Sequence, residues 1–328
     1  MRVRVLLVAV LWVAAAQPRG GLLAAAACDR QCLIDIAGQY AAALVDHAPS
    51  RLPTARDVKF TENLVPLKFG EQGLWKTASG RRDFAIFAAD TDTGNIVWIG
   101  IIKENDTAVM MTARLKVVER RITEAETLVG RSALTAAATV AGPRPAFAVI
   151  VPPSERLSRE RLVAIANSNW DAMERGDGHL APYAVDCERY DNGEQTSRGQ
   201  SPGQALGNGA PDSGGDLKDR SCFGQMNSGR FNNGNQVQPR RIWAVDREYG
   251  LVVGLFTPNV PGNVRQIILR GGKPLTPEAS ELIPFTIQQV EMFKVVHAEI
   301  SKVEVVLGPR VPYGMRSPFD MKNLWQPQ

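Results

Sequence analysis

The spacing of apolar and polar positions along the chain changes period several times. Over 33–45, Leu33, Ile36, Ala37, Tyr40, Ala41 and Leu44 recur at helical spacing, and the run stops at Asp46-His47-Ala48-Pro49. Over 162–173, Ile165, Ala166, Asn169, Trp170 and Met173 repeat this before Gly176-Asp177-Gly178. Steps of three and four residues put such side chains on one face, so both segments predict amphipathic helices ended by a Pro or Gly signal. Strand-like runs rich in aromatic and β-branched residues follow: 58–63 and 187–192, then 84–89 with 95–101, and 241–245 with 251–256. The last two pairs flank Asp90-Thr91-Asp92-Thr93-Gly94 and Asp246-Arg247-Glu248-Tyr249-Gly250. Asp opening and Gly closing a short polar stretch are hairpin chemistry.

One segment occurs twice. Leu115-Lys116-Val117-Val118-Glu119-Arg120-Arg121-Ile122-Thr123-Glu124-Ala125-Glu126 returns as Phe293-Lys294-Val295-Val296-His297-Ala298-Glu299-Ile300-Ser301-Lys302-Val303-Glu304, at a constant offset of 178 residues (115 to 293, 126 to 304). Each copy reads strand, tight turn, strand. Segment 58–63 matches 187–192 at an offset of 129. Each half then reads helix, loop, strand, hairpin, hairpin, which predicts a tandem duplication. The fold class expected is α+β: two domains, each a curved antiparallel sheet packed by N-terminal helices. The boundaries expected are 28–140 for the first domain, a Pro-rich linker at 141–153, 154–310 for the second domain and a tail at 311–328. The second half carries a polar insertion, 197–238, which Cys222 is expected to pin, and another, 259–284, with a strand candidate at 266–269. The tail holds too much Pro and Gly for a regular element and is expected to dock through Tyr313, Met315 and Phe319. The two halves should pack on each other.

Residues 1–27 read as a signal peptide: Arg2 and Arg4 precede an apolar stretch from Val5 to Ala16, and small residues follow at 24–27. The stretch is too short to span a bilayer, and no later one is long enough. Secretion or a periplasmic location is expected, with a lipid anchor through Cys28 as the alternative. Four cysteines in an exported chain predict disulfides. Of three connectivities, Cys28–Cys32 with Cys187–Cys222 is preferred because each bridge stays within one half. Three histidines, none beside a cysteine, argue against a metal site. A formal net charge of +4, mixed along the chain and without a basic patch, argues against a nucleic-acid partner.

The run Cys28-Asp29-Arg30-Gln31-Cys32-Leu33, the strand Lys59-Phe60-Thr61-Glu62-Asn63, the segment Gly73-Leu74-Trp75-Lys76-Thr77 and the tail Pro312-Tyr313-Gly314-Met315 together resemble a family of unknown function found as exported proteins in fungi and bacteria. That family is similar to the nuclear transport factor 2-like, or SnoaL-like, cone fold. The resemblance covers most of the chain after residue 27. It implies the cone fold and a superfamily that holds isomerases, dehydratases, cyclases, lyases and non-catalytic binding or scaffold modules; it names no single activity.

Such a cone encloses an apolar pocket in which cofactor-free chemistry needs a carboxylate base and a hydroxyl or indole donor. No Gly-x-Ser-x-Gly elbow, phosphate loop or dinucleotide fingerprint is present, so no cofactor is expected. Glu62 alternates with Phe60 on its strand, and Asp191 matches it across the offset of 129. These two and Tyr190 are the catalytic candidates. Tyr40, Trp75, Trp98, Trp170, Tyr183, Arg241 and Trp243 are the substrate-binding candidates, with Phe256 beside them. The alternative reading of the matched carboxylates is a shared turn-capping role beside Asn63 and Asn192. His47 and His179 are expected at solvated helix ends and His297 in an exposed turn. Glu126 and Glu304, also matched, are expected on a solvated strand face. The function expected is a cofactor-independent lyase, isomerase or dehydratase acting on a small apolar organic molecule; the alternative is a ligand-binding or scaffold protein with no turnover. The longer loops favour the second half as the binder.

Overall fold

The N-terminal ends of the two long helices are set by side chains that stand in for missing backbone partners. In the computed structural model, which describes residues 27–131, 137–197 and 221–321, α1 (Arg30–Val45) is capped by Asp29 accepting from the Cys32 N–H. The second long helix, α3 (Arg159–Arg175), is capped by Ser158 accepting from the Arg161 N–H, and ends on Gly176 in the left-handed region. Between them lie β1 (Thr54–Glu62), β2 (Val65–Pro66), α2 (Leu74–Thr77), β3 (Ala78–Asp90), β4 (Asn95–Glu104), β5 (Thr107–Val118) and β6 (Arg121–Gly130). After α3 come β7 (Tyr183–Asp191), β8 (Glu194–Gln195), α4 (Cys222–Asn227), β9 (Gln236–Asp246), β10 (Leu251–Val260), β11 (Ile267–Ile268), β12 (Pro274–Leu275), β13 (Phe285–Val296) and β14 (Glu299–Pro312).

Two six-stranded sheets result, ordered β2-β1-β6-β5-β4-β3 and β8-β7-β14-β13-β10-β9, the same path drawn twice. The sequence suggested antiparallel sheets, and neither is purely so. β1 lies parallel to β6, and β7 parallel to β14, because the first long strand of each half inserts beside the last one running the same way. The register shift in β5/β6 falls at Lys116/Val117 and that in β13/β14 at Lys294/Val295, positions 178 apart. The matched turns Glu119-Arg120 and His297-Ala298 both place two non-glycine residues in the left-handed region that suits a two-residue hairpin. Asn63 clasps the backbone of Val129 through both amide atoms, at 2.8 and 3.3 Å. Asn192 does the same to Leu307, at 2.9 and 3.2 Å.

Two segments differ from the sequence reading, and a third agrees with it. The polar insertion 197–238 contains α4 and the first residues of β9, while 198–220 lie outside the described residues. The strand candidate at 266–269 is β11, paired with β12. β14 runs through Val311 and Pro312, where the Pro and Gly content predicts an irregular tail, because Phe285 and Thr286 at the start of β13 offer it partners. Residues 1–26, the bulk of the signal-peptide reading, and the tail beyond 321 lie outside the described residues.

Each sheet is buried on both faces. One face of the first sheet shares a cluster with Leu33, Ile36 and Tyr40 of α1. The corresponding face of the second shares one with Leu162, Ile165 and Trp170 of α3. The opposite faces meet each other: Ile99, Met110 and Leu128 of one half sit with Trp243, Leu255, Val290 and Met292 of the other. Burial on both sides is why β4 and β10 read as near-continuous apolar runs. The join is reciprocal. Asp90 accepts from the Val245 N–H at 3.0 Å and pairs with Arg159 at 2.8 Å. Its counterpart 156 residues on, Asp246, accepts from the Ala89 N–H at 3.1 Å and pairs with Arg30 at 3.2 Å. Each contact has its mate with the halves exchanged, the pattern of a two-fold interface.

Candidate functional site

The interior between α1 and the first sheet is filled by aromatic rings. Tyr40 meets Trp75 edge-on at 5.5 Å, Phe69 lies 5.0 Å from Trp75, and Phe60 lies 5.8 Å from Phe69. Trp98 on β4 belongs to the same buried cluster and lies flat on Gly100, where any Cβ would collide with its ring. Burial, reinforced by the nearby Glu62 carboxylate, pushes the Tyr40 phenol well above its ordinary range. Glu62 itself is 6% exposed and committed on both oxygens. One accepts from the Leu74 N–H at 2.7 Å and so caps α2; the other takes Arg131 at 2.6 Å.

In the second half, the matching interior between α3 and the second sheet holds charged side chains. At the offset of 129, Tyr40 becomes Asn169 and Phe60 becomes Arg189; at the offset of 178, Met111 becomes Gln289 and Ala113 becomes Glu291. Glu291 is fully buried and takes four donors: Arg189 at 2.6 Å, Gln289 at 2.8 Å, Trp170 Nε1 at 2.7 Å and Asn169 at 3.0 Å. Burial raises its pKa above the ordinary carboxylate range, against the pull of Arg189. Tyr183 donates to Asn169 at 2.8 Å, and burial raises its phenol too. Asp191 pairs with Arg189 at 3.0 Å and accepts from Thr196 at 2.7 Å. Trp170 packs on Phe256 and Phe293, and on Gly254, where a Cβ would strike its ring. The large indole thus moves from strand in the first half to helix in the second, and the glycine that admits it moves with it.

Strand alternation separates the three catalytic candidates. Asp191 lies on the face of β7 that carries Arg189, whereas Tyr190, one residue earlier, faces the other way. There it lines an open cleft of about 600 Å³, bounded by residues 139–146 and by Glu188, Tyr190, Gly193 and Lys302. The Tyr190 hydroxyl donates to Glu188 at 2.8 Å, and Lys302 pairs with the same carboxylate at 3.3 Å. Burial, then the bond to Glu188, pushes the Tyr190 phenol up to about 12. Arg144 lies over the Tyr190 ring at 3.3 Å, donates to the Gly193 carbonyl at 3.0 Å and pairs with Glu304 at 2.6 Å. Glu304 is fully buried; its second oxygen, Oε1, has no hydrogen-bond partner among the described residues. Burial raises its pKa to about 7, even with Arg144 beside it.

Trp243 and Arg241 stand apart from both cones. Trp243 is in the cluster between the sheets. Arg241 reaches across to Glu126 of the first half and pairs with Asp320 at 3.0 Å. Glu126 and Glu304 are 2% and 0% exposed, not on the solvated face expected for them, because the second sheet and the segments after β6 and β14 cover those strands. Of the histidines, His47 contacts the Trp75 carbonyl at 2.6 Å, and His179 and His297 are exposed beside Asp177 and Glu155. The disulfides are Cys28–Cys32 and Cys187–Cys222, as preferred from the sequence. Among the described residues no group of three or more His, Cys, Asp or Glu is placed to hold a metal, and no helix is long and apolar enough to cross a membrane. Sequence reasoning missed Arg144, Glu188, Lys302, Glu304, Arg189 and Glu291. The match of Glu126 to Glu304, and a lone Glu between Val290 and Met292, were the signals available.

A family profile described as Domain of unknown function (DUF8021) matches residues 155–307, the span from the start of α3 into β14. A comparison with curated protein sequences finds no match. Among solved structures, the chain is similar to a de novo designed protein with a curved β-sheet, at 13% identity over 31% of this chain and 88% of that one, with a TM-score of 0.27. It is similar to AclR, a candidate hydroxylase from Streptomyces galilaeus, at 15% identity over 49% and 83% of the two chains, with a TM-score of 0.29. A third is a candidate SnoaL-like polyketide cyclase from Shewanella putrefaciens CN-32, at 22% identity over 30% and 88%, with a TM-score of 0.24.

Proposed function

We propose that the protein is an exported small-molecule-binding protein, built by tandem duplication of a SnoaL-like cone, whose two halves stand in for the subunits of a homodimer. The binding site is the cleft between the linker and the outer face of β7 and β14. The observation that carries this reading is the cleft itself: about 600 Å³, walled by Pro143, Pro145 and the Tyr190 ring, with Arg144, Glu188 and Lys302 converging on it. An apolar wall with a few convergent polar groups is the usual form of a small-ligand site. Acid–base turnover inside the cones has less support, because Glu62 and Asp191 both spend their lone pairs on fixed neighbours. In this reading they are structural carboxylates and the cones are cores. Export rests on the signal-like character of 1–27 and on two disulfides, which suit an oxidising compartment.

Hydrogen–deuterium exchange in the presence of a library of small aromatic acids, alcohols and amides tests the site. Binders should protect peptides covering 139–146 and 188–193. Protection confined to 169–173 and 289–293 would place the ligand in the second cone and refute the cleft.

A further inference from the structure

We propose that the cleft takes a small aromatic carboxylate, its ring against Tyr190 and its carboxylate on Arg144, and that binding places a proton on Glu304. The inference rests on the reading of the cleft as the binding site and adds the chemistry of the ligand.

The other half of the molecule contains a filled counterpart. The chain after β6 crosses onto the second sheet and meets Glu304 through Arg144. The chain after β14 crosses onto the first sheet and meets Glu126, the residue matched to Glu304, through Ser317 at 2.6 Å. Around Glu126 the guanidinium of Arg241 bridges two carboxylates, Glu126 and Asp320. The Phe319 ring lies 5.6 Å from that guanidinium and 4.9 Å from that of Arg114. A buried Glu, an Arg, an aromatic ring and a second carboxylate therefore form one unit there. Around Glu304 three of the four recur: Glu304, Arg144 and the Tyr190 ring. Arg144 serves one carboxylate and a carbonyl, where Arg241 serves two carboxylates. A ligand carboxylate reproduces, in the second half, what Asp320 supplies in the first, and an aromatic ring attached to it fits the wall of Tyr190, Pro143 and Pro145. Its carboxylate gains further from Lys302 on the cleft wall.

The proton follows from the geometry around Glu304. The groups facing it are Arg144 from the linker, Tyr190 from β7, which it opposes in register, and Met292 from β13; Asp191, on the far face of β7, adds a repulsive charge. Arg144 is the cation that pairs with it. A ligand carboxylate that shares Arg144 withdraws part of that compensation from a carboxylate already fully buried with one oxygen unpartnered. A buried charge losing its partner is strongly disfavoured, and a carboxylate resolves this by taking a proton from solvent. Its pKa, already raised to about 7, places the uptake near neutral pH.

Titration calorimetry of the whole protein with benzoate and with benzamide, in buffers of different ionisation enthalpy, decides the matter. Benzoate should bind at least about tenfold more tightly than benzamide, and heats at pH 8 should report uptake of nearly one proton per benzoate. Affinity should fall about tenfold per pH unit above the unliganded pKa of Glu304. Glu304→Gln, neutral at every pH, should bind benzoate with no proton uptake, and Tyr190→Ala should lose the preference for an aromatic acid over acetate. Benzamide binding as well as benzoate, or benzoate binding without proton uptake, overturns the proposal. Protection of 139–146 by some other fragment while benzoate is silent sinks this inference alone; protection only at the second cone sinks the cleft reading with it.

Discussion

Replacing Glu291 by Gln removes one charge from a buried ion pair of the second sheet and keeps the shape. Glu291 is fully buried, and Arg189, 2.6 Å away, is 5% exposed. With the carboxylate gone, Arg189 keeps only Asp191 at 3.0 Å. Removing one partner of such a pair costs about 3–5 kcal/mol, because the remaining charge stays desolvated. Arg189→Met should cost a similar amount from the other side, with Glu291 left among Gln289, Trp170 and Asn169. The double variant leaves no unpaired charge in the interior: the amide oxygen introduced at position 291 still accepts from Trp170 or Asn169, and Asp191 keeps Thr196 and partial contact with water. It should lie within about 2 kcal/mol of the parent. The cycle therefore predicts a coupling energy of about 3 kcal/mol or more. Urea unfolding at pH 7, followed by circular dichroism and by tryptophan fluorescence, measures it, provided the two probes give coincident transitions. Additive single costs, or a Glu291→Gln cost below about 1 kcal/mol, would refute the claim that this network is a closed structural core.

The remaining expectations concern other parts of the molecule. Glu304 has its folded pKa raised to about 7 from 4.5, so the native state holds the extra proton between these values; its contribution favours folding below about pH 4.5 and is lost as pH rises to about 7. The stability difference between wild type and Glu304→Gln should therefore change by about 3 kcal/mol over that window, read from urea titrations at each pH. Losing Cys187–Cys222, which spans 35 positions, should cost about 4 kcal/mol by loop-closure entropy, against about 2 for Cys28–Cys32, which spans 4; equal shifts in urea midpoint for the two paired Cys→Ala variants would count against that account. Gly254→Ala forces a methyl into the Trp170 ring and should lower stability by about 1–3 kcal/mol, visible as a fall in melting temperature. Asp90→Ala and Asp246→Ala strip mirror-image acceptors from buried N–H groups at the join, and each should cost about 1–3 kcal/mol by the same measurement, with a cost at one site alone arguing against a two-fold join.

What the linear sequence settled was whatever is encoded within a few residues or by direct repetition. Helical spacing located α1 and α3, Asp…Gly stretches located the hairpins at Asp90 and Asp246, and the offset of 178 matched β5–β6 to β13–β14 down to the residue where the register shifts. The preferred cysteine pairing followed from keeping each bridge local. What tertiary structure decided was which face of each strand meets which neighbour. The parallel seating of β1 beside β6 depends on two strands about sixty residues apart, and no local pattern records it. Tyr190 and Asp191 look like one site when read in sequence, yet strand alternation sends one to the cleft and the other to Arg189 on the opposite face. Glu126, Glu291 and Glu304 read as ordinary polar positions because solvation is the default for a lone carboxylate. Their burial comes from partners 115 to 160 residues away in the chain, Arg241 for Glu126, Asn169 and Trp170 for Glu291, and Arg144 for Glu304. A charge is placed in a core by the partners that meet it there: Glu126 needs the two halves folded against each other, whereas Glu291 needs only the second half folded on itself.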